Sequence, residues 1–185
     1  MLKNKDYYNK VFAKSITYKK TAEHTLYYKM WRNILGLISR EDKIIEIGCG
    51  TGQLAKMLID NNFNYIKGFD YSETGIEICH TLNPVNKDKF SVRNIYDIEK
   101  LDKGYVYICT EVLEHLENDF HVIDILPEGA NFIFSVPNFK FESHVRHFVN
   151  KEQIIERYKG LDITEIEIFH KIRQAHLFLC KSKKI

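Results

Sequence analysis

Three glycines at alternate positions, Gly48, Gly50 and Gly52, stand between an apolar β-branched run and a run with helical spacing. This feature constrains the fold more than any other in the chain. The preceding run, Lys43–Ile47, reads as a short strand, and Leu54–Asp60 has its apolar residues on one helical face. A strand entering a helix through Gly48-Cys49-Gly50-Thr51-Gly52 turns sharply and leaves bare main chain open to a ligand. The first N–H groups of the following helix point into the same space.

Strands and helices continue to alternate. The spacing predicts a helix over 21–38, strands over Tyr65–Phe69 and Phe90–Val92, and a helix over Thr74–Leu82. Further on it predicts a buried strand over Gly104–Thr110, a helix over Asp119–Leu126, a strand over Asn131–Val136 and a helix over Lys151–Tyr158. Residues 1–20 are rich in tyrosine but weakly periodic, and no helix is assigned there. Near the end Thr164–Phe169 and Ala175–Cys180 are separated only by His170 to Gln174, a spacing that fits a hairpin and not a crossover. Repeated strand-helix units imply a parallel sheet with helices on both faces, and the hairpin adds one antiparallel strand. The expected fold is therefore α/β: a Rossmann-like, seven-stranded, mostly parallel sheet with a C-terminal antiparallel hairpin. The 185 residues suit one domain, with 1–38 as a helical or lid segment and 39–185 as the core.

Composition narrows the class. A net charge of +2 argues for neither nucleic acid nor membrane binding, and Lys181, Lys183 and Lys184 read as a solvated end. Cys49, Cys79, Cys109 and Cys180 form no C-x-x-C pair, which disfavours a zinc knuckle, and nothing suggests a disulfide framework. The polar N-terminus is unlike a signal peptide, and no apolar run reaches membrane-spanning length. A cytoplasmic, reduced protein, monomeric or homodimeric, is expected.

Asp70 ends the second strand, 18 residues after Gly52, where ligands of open α/β sheets bind. A carboxylate there can accept hydrogen bonds from two ribose hydroxyls, and Tyr71 can stack on a purine. Alternatively, Asp70 caps the helix that starts near Thr74.

The string Glu46-Ile47-Gly48-Cys49-Gly50-Thr51-Gly52-Gln53 resembles the first motif of the class I methyltransferases that use S-adenosylmethionine (SAM), especially small bacterial members. The likeness runs from about residue 40 to the end. It implies SAM as cofactor, with S-adenosylhomocysteine (SAH) as product. It also implies that Glu46, Gly48, Cys49, Gly50 and Gly52 surround the methionine part, with Glu46 holding the turn. Asp70 and Tyr71 then hold the adenosine. Asn94 and Ile95 stand where the family reads adenine, Asn94 replacing the usual acid, with Asp97 as the alternative. Thr110 and Glu111 fall near the methionine end.

The segment Thr110-Glu111-Val112-Leu113-Glu114-His115 has three readings. Glu114 and His115 fix the loop; or His115 is a general base, its imidazole titrating near neutrality. In the third reading Glu111, Glu114, His115 and a later histidine hold a divalent metal, resembling metal-dependent small-RNA 2′-O-methyltransferases and some ubiquinone-pathway O-methyltransferases. A metal is not favoured over the first two. The later string Ser135-Val136-Pro137-Asn138, followed by His144-Val145-Arg146-His147-Phe148, resembles a subgroup in which it shapes the acceptor pocket. On that reading His144 joins His115 and Glu111 as a catalytic candidate. Otherwise Arg146 pairs with Glu142 or Glu152 and His144 is a polar loop residue. The basic, aromatic accessory region of the small-RNA enzymes is not found, which argues against RNA. A small-molecule or glycan acceptor, methylated on oxygen or nitrogen, is the first expectation. A non-catalytic module that only binds SAM or SAH is the second. An NAD(P) enzyme is disfavoured because G-C-G-T-G is not G-x-G-x-x-G.

Overall fold

The computed structural model describes residues 3–172 and 174–185, and the side chains of 170–172 are also left out of the description. Two residues at the start of the expected lid segment and Arg173 in the expected hairpin turn lie outside that range. The chain forms two compact units, 3–97 and 98–185.

The first unit opens with α1 (Lys5–Lys14), which the sequence pattern did not reveal. The reason is physical: α1 fully buries none of its residues, so it carries no apolar stripe. Its start is marked by Asn4, whose side chain accepts from Tyr7 N–H at 3.1 Å. The expected helix over 21–38 is shorter and in two pieces, a 3-10 turn at Ala22–His24 and α2 (Tyr28–Leu37). Then follow β1 (Ile44–Ile47), α3 (Gln53–Asp60), β2 (Tyr65–Asp70), α4 (Glu73–Leu82) and β3 (Phe90–Val92). The strands run parallel in the order β3-β2-β1. All four residues of β1 are buried, as in a strand covered on both faces.

The second unit contains β4 (Val106–Cys109), α5 (Phe120–Ile125), β5 (Asn131–Pro137), α6 (Lys151–Arg157), β6 (Leu161–Ile172) and β7 (Ala175–Lys184). β4 and β5 are parallel, whereas β7 is antiparallel to both β5 and β6. The hairpin strands are longer than the alternation suggested. The terminal lysines belong to β7, because their main chain pairs with β5 and β6. Its core includes Tyr107, Phe132, Phe134, Phe178 and Tyr158. Three parallel strands in one unit, and four with one reversed strand in the other, give the Rossmann-like, seven-stranded, mostly parallel architecture. Among the described residues no helix is long and apolar enough to cross a membrane.

One buried acid ties β1 to β2. Glu46 is 3% exposed and accepts from the Tyr65 hydroxyl at 2.8 Å. Burial pushes its carboxyl up to about 8, against the opposing effect of the Tyr65 bond. A raised value means that the folded chain keeps a proton that the unfolded chain has released, so stability falls as pH rises towards 8. Glu46→Gln retains an acceptor for Tyr65 and removes the titration. Its melting temperature is expected to vary less than that of the parent from about pH 6.5 to about pH 8. Parallel melting curves for the two proteins across that window would show that Glu46 is ionised in the fold.

Candidate active site

In the first unit the glycine turn is fastened to the end of β2. The N–H groups of Gly48 and Cys49 both donate to the Phe69 carbonyl, at 2.8 and 3.0 Å. Asp70, the next residue, accepts from Gly50 N–H at 3.0 Å and from Ser72 N–H at 2.8 Å. Desolvation pushes the Asp70 carboxyl up to about 6, although its main-chain donors work the other way. The residue that caps α4 is Ser72, whose hydroxyl accepts from Gly75 N–H at 3.0 Å. The capping alternative for Asp70 therefore falls to its neighbour.

Two glycines of the turn are needed for different reasons. Gly52 sits at φ +72°, in the left-handed region, at the head of α3. A Cβ there would collide with Cys79 Sγ and lie 2.7 Å from Asn83 Nδ2, so Gly52 lets α4 pack onto the turn. Gly50, at φ +52°, faces the ring of Phe12, 3.5 Å from where its Cβ would stand. α3 takes no side-chain cap from Gly52, so the N–H groups of its first turn are the donors a polar ligand would meet, whereas those of Gly48, Cys49, Gly50 and Gly52 already bond within the chain.

The N-terminal segment, for which the sequence offers either a lid over the cofactor or plain packing, is strapped to this turn. Asn9 Oδ1 accepts from the Ser72 hydroxyl at 2.5 Å and from Thr74 N–H at 3.3 Å. Gln53, 5% exposed, donates to the carbonyls of Thr17 and Lys20 at 2.9 and 2.5 Å. Lys5 pairs with Glu73 at 2.7 Å, and the Tyr8 ring meets Tyr71 edge-on at 5.5 Å. Asn94 folds back on itself, its side chain accepting from Tyr96 N–H at 3.2 Å. Ile95 is buried, and Asp97 is exposed at the end of a 3-10 turn. Glu46 reaches Tyr65, a contact different from the expected hold on the turn.

The second unit holds the other candidates. Thr110 is buried, and Glu111 follows at φ +58°, an uncommon backbone for a residue with a side chain. The Ser135 hydroxyl holds it there: it accepts from Glu111 N–H and donates to the Glu111 carboxylate, both at 2.9 Å. Leu113–His115 form a 3-10 turn that aims Glu114 and His115 inwards. Glu114, fully buried, His115 and His144 bring one ligand atom each within 4.8 Å of one another. Glu111 is not part of that group. His115 Nδ1 donates to the Ser143 carbonyl and His144 Nδ1 to the Phe139 carbonyl, each at 3.0 Å. A carbonyl only accepts, so Nδ1 of each ring carries a proton. The ring centroids are 5.0 Å apart.

Arg146 does not pair with Glu142 or Glu152 as weighed above. Its Nε lies 3.3 Å from Asp119, and its Nη atoms donate to the carbonyls of Leu113, Leu116 and Glu117. Asp119 is buried, whereas Glu142 and Glu152 are exposed.

A family model described as a methyltransferase domain matches residues 22–166. A ubiquinone biosynthesis O-methyltransferase of Neisseria meningitidis serogroup C is 24% identical over 160 residues, covering 78% of this chain and 67% of the relative. The mitochondrial ubiquinone biosynthesis O-methyltransferase of Dictyostelium discoideum is 28% identical over 145 residues, 68% of this chain and 44% of the relative. The chain thus spans about two thirds of the first relative and under half of the second. Among solved structures, the magnesium protoporphyrin IX methyltransferase of Synechocystis PCC 6803 with bound SAH shares the fold. Its TM-score is 0.75 at 14% identity, over 98% of both chains. The glycine turn, the acid that ends β2, the reversed β7 and the matched residues lead to one assignment: this chain belongs to the methyltransferase-domain family.

Proposed function

We propose that the protein transfers a methyl group to an oxygen, or less readily a nitrogen, of a small-molecule acceptor, with a glycan as the wider alternative. The observation that carries this reading is the His115–His144–Glu114 group, in which both imidazoles are fixed through Nδ1 and one atom of each residue lies within 4.8 Å of the others. An acceptor hydroxyl must lose its proton as its oxygen attacks, and an imidazole is matched to that task near neutrality. The likeness to two O-methyltransferases supports oxygen over nitrogen. Four buried free thiols favour a reducing, cytoplasmic setting.

The residues of the first unit fit SAM. Gly48, Cys49, Gly50 and Gly52 give a main-chain surface for its methionine part, and Asp70 accepts from the ribose. Tyr71, Asn94 and Ile95 flank the adenine, and the strap through Tyr8 and Phe12 covers the turn. When bound, SAM supplies a methyl on a sulfonium, an electrophile that needs mainly alignment. In the second unit His115 Nε2 takes the acceptor's proton, and Glu114, 4.0 Å from that nitrogen, stabilises the imidazolium. Thr110 and Glu111 shape the same edge, Glu111 held by Ser135. His144 orients the acceptor or shares the base role.

A second reading is favoured by the convergence of Glu114, His115 and His144. A divalent cation would be held by the carboxylate and the two Nε2 atoms, and it would lower the pKa of the acceptor hydroxyl. The carbonyls on both Nδ1 atoms are the supports that imidazole ligands ordinarily have.

Calorimetry with SAH should show binding to the parent protein that Gly50→Val and Asp70→Ala abolish; unchanged affinity in both would remove the cofactor site from this turn. Affinity should weaken as pH falls through about 6, because the protonated Asp70 cannot accept both ribose hydroxyls. On the acceptor side, His115→Ala should lower kcat by roughly 10²–10⁴-fold with SAH affinity retained. Faster turnover of amines than of phenols and alcohols across one acceptor panel would overturn the choice of oxygen. If EDTA and Glu114→Gln both leave turnover intact, no metal takes part.

A further inference from the structure

The buried cluster around Asp119 is larger than a structural ion pair needs. Asp119 is 0% exposed. It accepts from Arg157 Nε at 2.8 Å, Arg157 Nη2 at 2.6 Å and the Tyr158 hydroxyl at 2.7 Å. The two-pronged Arg157 contact already neutralises the acid and gives it hydrogen bonds. Arg146 is therefore not required to pay for burying it. Arg146 nevertheless places Nε 3.3 Å from the same carboxylate.

That contact leaves the Nη atoms of Arg146 aimed elsewhere. They donate to the carbonyls of Leu113, Leu116 and Glu117, the last at 2.9 Å. These three carbonyls belong to the turn that carries Glu114 and His115. Arg146 itself lies two residues after His144. Val145 N–H donates to the Glu114 carbonyl at 2.8 Å, and the Ser143 carbonyl receives His115 Nδ1. The segments 113–117 and 143–146 are thus joined rung by rung, with the guanidinium as the widest rung. Slippage by one residue would take the Ser143 carbonyl away from His115 and change which ring nitrogen carries the proton.

We propose that Arg146, anchored by Asp119, is a positioning residue that fixes the register of these two segments and so holds His115 with its proton on Nδ1 and its lone pair on Nε2. This rests on the reading of His115 as part of the acceptor site. It names the residue that keeps the base in its working form. A planar guanidinium bonds one carboxylate and three carbonyls at once in a fixed fork; a lysine keeps the charge but is a single flexible point of contact.

The test uses the full chain with ¹⁵N-labelled histidine at one fixed pH, where long-range correlations separate Nδ1–H from Nε2–H rings. In the parent protein His115 should be the Nδ1–H form. In Arg146→Lys it should become a mixture with Nε2–H, while SAH affinity stays within about twofold and kcat falls at least about tenfold. Arg157→Lys weakens the same acid without touching the 113–117 carbonyls; it should lower the melting temperature and leave the His115 spectrum unchanged. If Arg146→Lys does not bind SAH and is unfolded, the same spectra are read on Arg146→Gln. A parent-like His115 pattern in the Arg146 variant, or an equal change in Arg157→Lys, would overturn the proposal. The spectra decide it independently of turnover: if His115→Ala keeps full kcat, the base reading fails while the register question is still answered.

Discussion

The first unit depends on one carboxylate that serves two main-chain donors. Asp70 accepts from Gly50 N–H and from Ser72 N–H, so it holds the glycine turn and the approach to α4 at once. From that pair of bonds the rest follows in sequence. Ser72 is positioned to cap α4, and Asn9 is positioned to bond Ser72 and Thr74. α4 then packs on Gly52 through Cys79 and Asn83, where no side chain fits. The same acid has a raised pKa because its surroundings are dry, so its charge state depends on what reaches it.

The second unit solves a different problem, which is to aim three polar side chains at one point. A 3-10 turn brings Glu114 and His115 onto the same side, and a loop after β5 returns His144 to them. Neither segment has the regular hydrogen bonding that fixes a helix or a strand. Main-chain carbonyls take that role: Ser143 and Phe139 orient the rings, and Leu113, Leu116 and Glu117 receive Arg146. Glu111, which the motif placed beside these groups, is instead held by Ser135 in a left-handed backbone. Strain of that kind persists only where neighbours enforce it.

Legibility differed by element for identifiable reasons. The strands β1, β2 and β4 announce themselves because Ile, Val, Tyr and Phe crowd into short runs. The turn between β5 and its histidines was found as a string, but its contacts were not. Arg146 has exposed acids nearby in sequence, and proximity along the chain points to Glu142 and Glu152; the fold brings it Asp119 from further away. α1 was invisible because its contacts are polar or single aromatic rings, so no apolar period marks it. In the sequence Gln53 is one more letter of a motif; in the fold its amide donates to the carbonyls of Thr17 and Lys20.

The strand-helix alternation, the reversed strand near the end, the glycine turn and the acid 18 residues beyond it are legible in the order of residues alone. These are local properties: side-chain period, turn chemistry and the placement of a charge at a strand end are set within a few residues. Which donors Asp70 serves, which acid Arg146 meets, that Nδ1 of His115 bears a proton, and which of four candidate ligands converge depend on the folded chain. Those depend on groups brought together from segments tens of residues apart, where burial raises the cost of an unpaired charge and a few tenths of an ångström decide whether a hydrogen bond forms.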